Sequence, residues 1–172
     1  ALWTAAISCC RGRWVISTSP SALKFINLTR HTEIGSNSYY LGTEEQGVVL
    51  DSGMHPKRFG DEALPLMPAI AGRPVDAILL SHAHLDHFGS LPVLMRRLPE
   101  APVYMTSATA QIGDALLHNS VNVMTRQREE LNLPEYPLFG HRETERAVRR
   151  WREGPPRQPV TLGGERSGAA RG

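Results

Sequence analysis

Apolar positions gather in short runs over residues 24–29, 36–41 and 46–51, and each run predicts a strand; Gly42-Thr43-Glu44-Glu45 joins the last two as a hairpin. Residues 75–81 differ. Val75, Ala77, Ile78, Leu79 and Leu80 leave little alternation, so this stretch predicts a strand buried on both faces, with 103–106 as the next strand after the breaks at Pro99 and Pro102. Residues 56–68 predict a loop holding at most a short helix, and helices are predicted over 90–97, 108–122 and 142–152. A mixed sheet with covering helices follows, an α/β (α+β) fold in which no internal repeat is visible.

Directly behind the apolar run Ala77-Ile78-Leu79-Leu80 stands Ser81-His82-Ala83-His84-Leu85-Asp86-His87. Imidazole nitrogen and carboxylate oxygen suit zinc, with iron or manganese possible, and bind at neutral pH without a thiol. At a strand end, residues two apart point the same way, so His82 and His84 can converge on one ion while Ala83 faces away. Asp86 is expected as the N-cap of a helix running through Phe88, Leu91, Val93, Leu94 and Leu98, with Pro92 tolerated near its start. Asp86 and His87 diverge from the first pair, which suits a second ion. The competing reading is a set of histidines that merely pack in an interaction module; a chance cluster of four ligand-type side chains at this spacing is the weaker explanation.

Ser81 through Gly89 resembles the HxHxDH signature of the metallo-β-lactamase superfamily. The likeness extends upstream to 37–42 and to Val48-Val49-Leu50-Asp51-Ser52-Gly53, which is similar to the family's strand pair ending in an aspartate. Gly89-Ser90-Leu91-Pro92 resembles the G-x-L-P of the β-CASP nucleic-acid-processing branch, and 102–106, 108–110 and 116–120 are similar to that branch's next strand and helix. The match covers about residues 24–150. It implies the N-terminal half of an αββα sandwich. It also implies a metallo-hydrolase using one or two Zn2+ ions: His82 and His84 on the first, Asp86 and His87 on the second. The resemblance further implies Asp51 and Asp86 as the catalytic residues, with Asp51 bracing the loop by hydrogen bonding.

The chain has 172 residues, 41% of them hydrophobic, enough for one domain with a buried core. No apolar run approaches the roughly 20 residues of a bilayer span, so no membrane association is expected. Cys9 and Cys10 are adjacent, a geometry that strains an intrachain disulfide, and a reducing cytoplasm is expected. A net charge of +2 excludes gripping nucleic acid by bulk charge. Arg142, Arg146, Arg149, Arg150 and Arg152 alternate with glutamates, which reads as a solvated helix face with intrahelical ion pairs more readily than as a phosphate-binding stripe.

Other candidates carry plainer readings. Without the resemblance, Asp51 before Ser52-Gly53 would close a turn; His55 reads as a loop bystander, His118 as half-exposed packing, and His31 offers no role. Gly140-His141 matches superficially the family's downstream Gly-His, but the residues after it read as a helix start. The family's bridging aspartate, last histidine and β-CASP insertion have no counterpart, so a truncated product is expected, with an open inner sheet face and poor stability or self-association. Residues 1–23 are unassigned, 24–152 form a partial domain, and 153–172, rich in Gly, Pro and Arg, are expected to be disordered apart from a strand-like Val160-Thr161-Leu162. The function expected of the complete protein is phosphodiester hydrolysis of RNA or another nucleic acid. Alternatives are an inactive metal-binding fragment or pseudoenzyme, or a thioesterase- or glyoxalase-type hydrolase of the same fold.

Overall fold

The computed structural model describes residues 22–154, together with the backbone of three strands outside that range. Those three are β1 (Ala5–Cys10), β2 (Arg13–Ser17) and β9 (Pro159–Leu162), forming an antiparallel sheet of order β2-β1-β9. The main sheet has six strands in sequence order: β3 (Lys24–Asn27), β4 (Tyr39–Gly42), β5 (Gly47–Leu50), β6 (Ala77–Leu79), β7 (Val103–Met105) and β8 (Trp151–Glu153). Pairing is antiparallel from β3 to β5 and parallel from β5 to β8. This is the mixed sheet expected of the fold.

Register explains why both faces are apolar. Val49 stands opposite Ile78, and Ile78 opposite Val103, so these side chains share one face. They are fully buried against helices α1 (Leu85–Phe88), α2 (Leu91–Arg97) and α3 (Ser107–Glu130), which contribute Phe88, Leu94 and Leu117. Val48, Ala77 and Leu79 alternate onto the other face and form a second cluster with Leu41, Leu50 and Tyr104 packed against it. The expected open inner face is therefore not open at its centre: Leu79 is 1% exposed, whereas Phe25 on the edge strand is 63% exposed.

Several boundaries differ from expectation. Asp86 is not an N-cap: the N–H groups of His87 and Phe88 already donate to the His84 carbonyl at 2.9 Å, so His84 caps α1 and Asp86 lies in its first turn. The single expected helix breaks between Phe88 and Leu91 because Ser90 turns back, its N–H donating to the Ser52 carbonyl at 2.9 Å and its hydroxyl lying 2.8 Å from that of Ser52. Helix α3 runs on past 122, since Val121 and Met124 continue the buried stripe begun by Gly113 and Leu117. The last helix, α4 (His141–Val148), stops early; the chain then returns to the sheet as β8, where Trp151 packs edge-on to Phe88 at 5.5 Å.

No intrahelical ion pair supports α4 among the described residues. Glu143 instead receives Arg96 of α2 at 2.8 Å, and Arg150 donates to the Pro99 and Ala101 carbonyls. Residues 5–10 and 13–17, within the unassigned segment, are strands, and so are residues 159–162, which hold the strand-like Val160-Thr161-Leu162. The remaining positions expected to be disordered beyond Gly154 lie outside the described residues.

Ile78 sits at the middle of the helix-covered face with no exposure. Ile78→Ala is expected to lower unfolding free energy by about 2–5 kcal/mol in urea titrations.

Candidate metal centre

The loop carrying the histidines is clamped by backbone before any side chain acts. Ser52 N–H donates to the His87 carbonyl and Met54 N–H to the Leu85 carbonyl, each at 2.8 Å. Asn37 N–H donates to the Asp86 carbonyl and Gly53 N–H to the Asn37 carbonyl, each at 2.9 Å. Three segments far apart in sequence thus lie side by side. Gly53 is required by this closeness: a Cβ there would stand 1.8 Å from the Asp86 carbonyl oxygen.

Asp51 organises the side chains. It leaves β5 with a left-handed φ of 60°, a conformation aspartate tolerates better than most residues. Its own backbone is held by a bond to the Leu79 carbonyl and by the Ser38 hydroxyl, both at 2.9 Å. The carboxylate, buried, accepts from Ser81 N–H at 2.8 Å, from the Ser81 hydroxyl at 2.8–2.9 Å and from His87 Nδ1–H at 2.8 Å. A carboxylate only accepts, so Nδ1 of His87 must carry the proton, leaving Nε2 with its lone pair when the ring is neutral. Ser81 spends its proton on Asp51, so it accepts from Nδ1–H of His82 at 2.9 Å and fixes that ring in the same tautomer.

The three rings of the motif converge. His82 lies 4.5 Å from His84 and 4.3 Å from His87 between ring centroids. Nε2 of His87 and Oδ2 of Asp86 are 3.5 Å apart, and the Asn37 carboxamide faces both, at 3.3 and 3.1 Å. His84 is exposed while His82, Asp86 and His87 are half-buried, so the cluster opens on one side. Burial, and then the neighbouring His87 and His84, hold the His82 ring below the usual imidazole range, favouring the neutral form that binds metal. The hydrogen bond to Asp51 pushes His87 the other way, above the usual imidazole range.

In kind, this donor set fits a borderline divalent cation: imidazoles with fixed tautomers beside one carboxylate. In geometry it is open. Among the described residues no group of three or more His, Cys, Asp or Glu side chains closes round a common point. The other histidines stand apart. His55 is buried, its Nδ1 accepting from Lys57 N–H at 3.1 Å and its ring edge-on to His31. His141 begins α4 and meets His118, Nδ1 to Nδ1 at 2.7 Å, and Asn122 at 3.1 Å, not the 82–87 loop.

Asn37 and Ser81 were not singled out from sequence. Ser81 borders the motif, and a hydroxyl beside His82 was the available signal. Nothing local signals Asn37, whose partner Asp86 lies 49 residues on.

Asp51→Ala would leave Ser81 N–H and His87 Nδ1–H without their acceptor in a part-buried setting. It is expected to cost about 1–3 kcal/mol in urea unfolding measured in chelator. Asp51→Asn, which keeps an acceptor oxygen, is expected to lose clearly less.

The family profile described as "Metallo-beta-lactamase superfamily" matches residues 31–160. Endoribonuclease ysh1 of Schizosaccharomyces pombe is 37% identical over 118 residues, which are 68% of this chain and 16% of that protein. Endoribonuclease YSH1 of Saccharomyces cerevisiae is 36% identical over 107 residues, 62% of this chain and 14% of that protein. Endoribonuclease ysh-1 of Neurospora crassa is 38% identical over 102 residues, 59% and 12% of the two chains. The chain thus spans about a sixth or less of the length of these relatives. A crystal structure of a protein of unknown function from Enterococcus faecalis V583 aligns with a TM-score of 0.36 at 17% identity over 68% of this chain and 29% of that one, too loosely to add to the argument. With the profile covering most of the sequence and the Asp51-braced histidine loop inside it, the chain belongs to the metallo-β-lactamase superfamily.

Proposed function

We propose that the protein is a metal-dependent ribonuclease of the β-CASP branch, cleaving RNA phosphodiesters as part of a longer polypeptide. The observation that carries this reading is the Asp51 carboxylate's joint hold on His87 and, through Ser81, on His82, which puts the proton of both neutral imidazoles on Nδ1 and leaves Nε2 as the metal-binding nitrogen, that of His87 beside Asp86 and Asn37. RNA as substrate is supported by the relatives, whose names are those of endoribonucleases. The same donor set serves other hydrolases of this fold, and no feature of the site favours a thioester or a lactam.

In this proposal His82 and His84 hold a first ion and Asp86 and His87 a second, with zinc the preferred metal. Such ions, when bound, lower the pKa of water and offset charge on the scissile phosphate. The chain's own residues do the positioning. Asp51 keeps His87 and Ser81 in one orientation, Ser81 keeps His82 in one tautomer, and Asn37 holds the Asp86 carboxylate toward His87. Asp86, half-buried beside His87, would orient the attacking water. A cytoplasmic setting belongs to the same proposal, supported by the adjacent cysteines 9 and 10.

His84→Ala is the direct test, because His84 is exposed and its loss spares the core. RNA cleavage is expected to fall by at least about a hundredfold and bound zinc, measured by elemental analysis, to drop with it. Cleavage and zinc content both equal to wild type would remove the proposal.

A further inference from the structure

Beside the histidine loop lies a cavity of about 460 Å³, within the ~300–1,000 Å³ usual for small-ligand sites. His84 and Asp86 form part of its wall, so whatever fills it touches the candidate metal ligands. Its floor is core: Met54, Phe88, Leu117 and Met124, all buried. Its sides are not.

Helix α3 supplies one side. Its residues Leu117, Val121 and Met124 face the core, and the neighbouring stripe Leu116, Ser120, Val123 and Gln127 follows the same helical spacing along the cavity. Leu116 and Val123 remain 38% and 37% exposed. Opposite them, Leu85 and Phe59 also keep apolar surface open, with Tyr136 edge-on to Phe59 at 6.3 Å. Apolar side chains left half-open around a concave site mark a binding surface.

Helix α3 also brings the polar side chains of Asn119, Ser120 and Gln127 to the lining. The side-chain carboxamides of Asn119 and Gln127 make no hydrogen bond to another described residue, and each carries both donors and an acceptor. The Ser120 hydroxyl donates to the Leu116 carbonyl at 2.9 Å, which leaves its oxygen able to accept. At the edge, Arg58 is the one cationic side chain of the lining, half-exposed and shared with Glu33 at 3.1 Å. Apolar walls, free amides and one cation at the rim suit a flat heterocycle with a hydrogen-bonding edge that is tethered to a phosphate.

We propose that this cavity seats a nucleobase of the RNA strand, next to the phosphodiester held at the His82–His87 loop. The assignment rests on the ribonuclease reading and deepens it. The base lies on Leu116, Val123 and Leu85, while Asn119 and Gln127 read its edge. Anchoring one base here fixes which phosphodiester lies against His84 and Asp86, so the cavity sets where the strand is cut as well as how tightly it is held.

The test is RNA binding by fluorescence anisotropy in chelator, where no cleavage occurs, followed by cleavage mapping with zinc restored. Val123→Asp places a charge in the cavity and Val123→Trp fills it, whereas Ile112→Asp puts the same charge on an exposed part of α3 outside the lining. Both Val123 variants are expected to bind RNA about tenfold or more weakly, and Ile112→Asp within about twofold of wild type. Asn119→Ala and Gln127→Ala are expected to shift the preferred cut sites while zinc content stays unchanged. Wild type that binds and cleaves RNA, with both Val123 variants doing so equally well, overturns the cavity assignment alone. An Ile112→Asp loss as large as that of Val123→Asp overturns it too. Wild type that neither binds nor cleaves RNA removes the ribonuclease reading and this inference together.

Discussion

One carboxylate sets the geometry of the candidate site. Asp51 is nearly buried, and its position at the end of a central strand lets it meet the first residue of the histidine motif and the last one together. A buried carboxylate is tolerable only when its acceptor sites are filled, and here Ser81 and His87 fill them. The same bonds decide which nitrogen of each imidazole is left free. Stability of the loop and readiness of the site are therefore two consequences of one set of hydrogen bonds.

The sheet explains how Asp51 arrives there. Parallel pairing of β5 with β6 puts Leu50 beside Leu79, so both strands end at the same edge, and Asp51 and Ser81 emerge close together. Apolar packing on both faces holds the two strand ends fixed. Beyond them, the backbone bonds among Asn37, residues 52–54 and residues 85–87 carry the order into a stretch with hardly any regular structure. Phe88 then ties the loop to α3, its ring so close to Gly113 that a Cβ there would stand 2.4 Å away. Through this contact the helix that lines the cavity is kept in register with the loop that bears the histidines.

Much of this was legible in the sequence, for physical reasons that differ by residue. The unbroken run ending at Leu80 marks a buried strand because only such a strand needs apolar side chains on both faces. The His82 to His87 cluster is legible because its ligands are local. Helix ends were less readable. Asp86 has the chemistry of an N-cap, yet its carboxylate is engaged by Asn37, and the turn begins earlier, at His84. Residues 151–153 continue a helical pattern in sequence but join the sheet, because the edge of β7 and the ring of Phe88 offer Trp151 more than another helical turn would. Asn37 could not be read locally at all, since its function is to bridge segments that only the fold brings together.

The central claim is that these imidazoles, in tautomers set by Asp51, are what the metal meets. X-ray absorption at the zinc edge of the metal-loaded protein addresses it most directly. A shell of nitrogen and oxygen at ~2.0–2.1 Å with the multiple-scattering pattern of two or more histidines is expected, weakened in the Asp51→Ala protein. A sulfur shell near ~2.3 Å, or a spectrum without imidazole scattering, would contradict it.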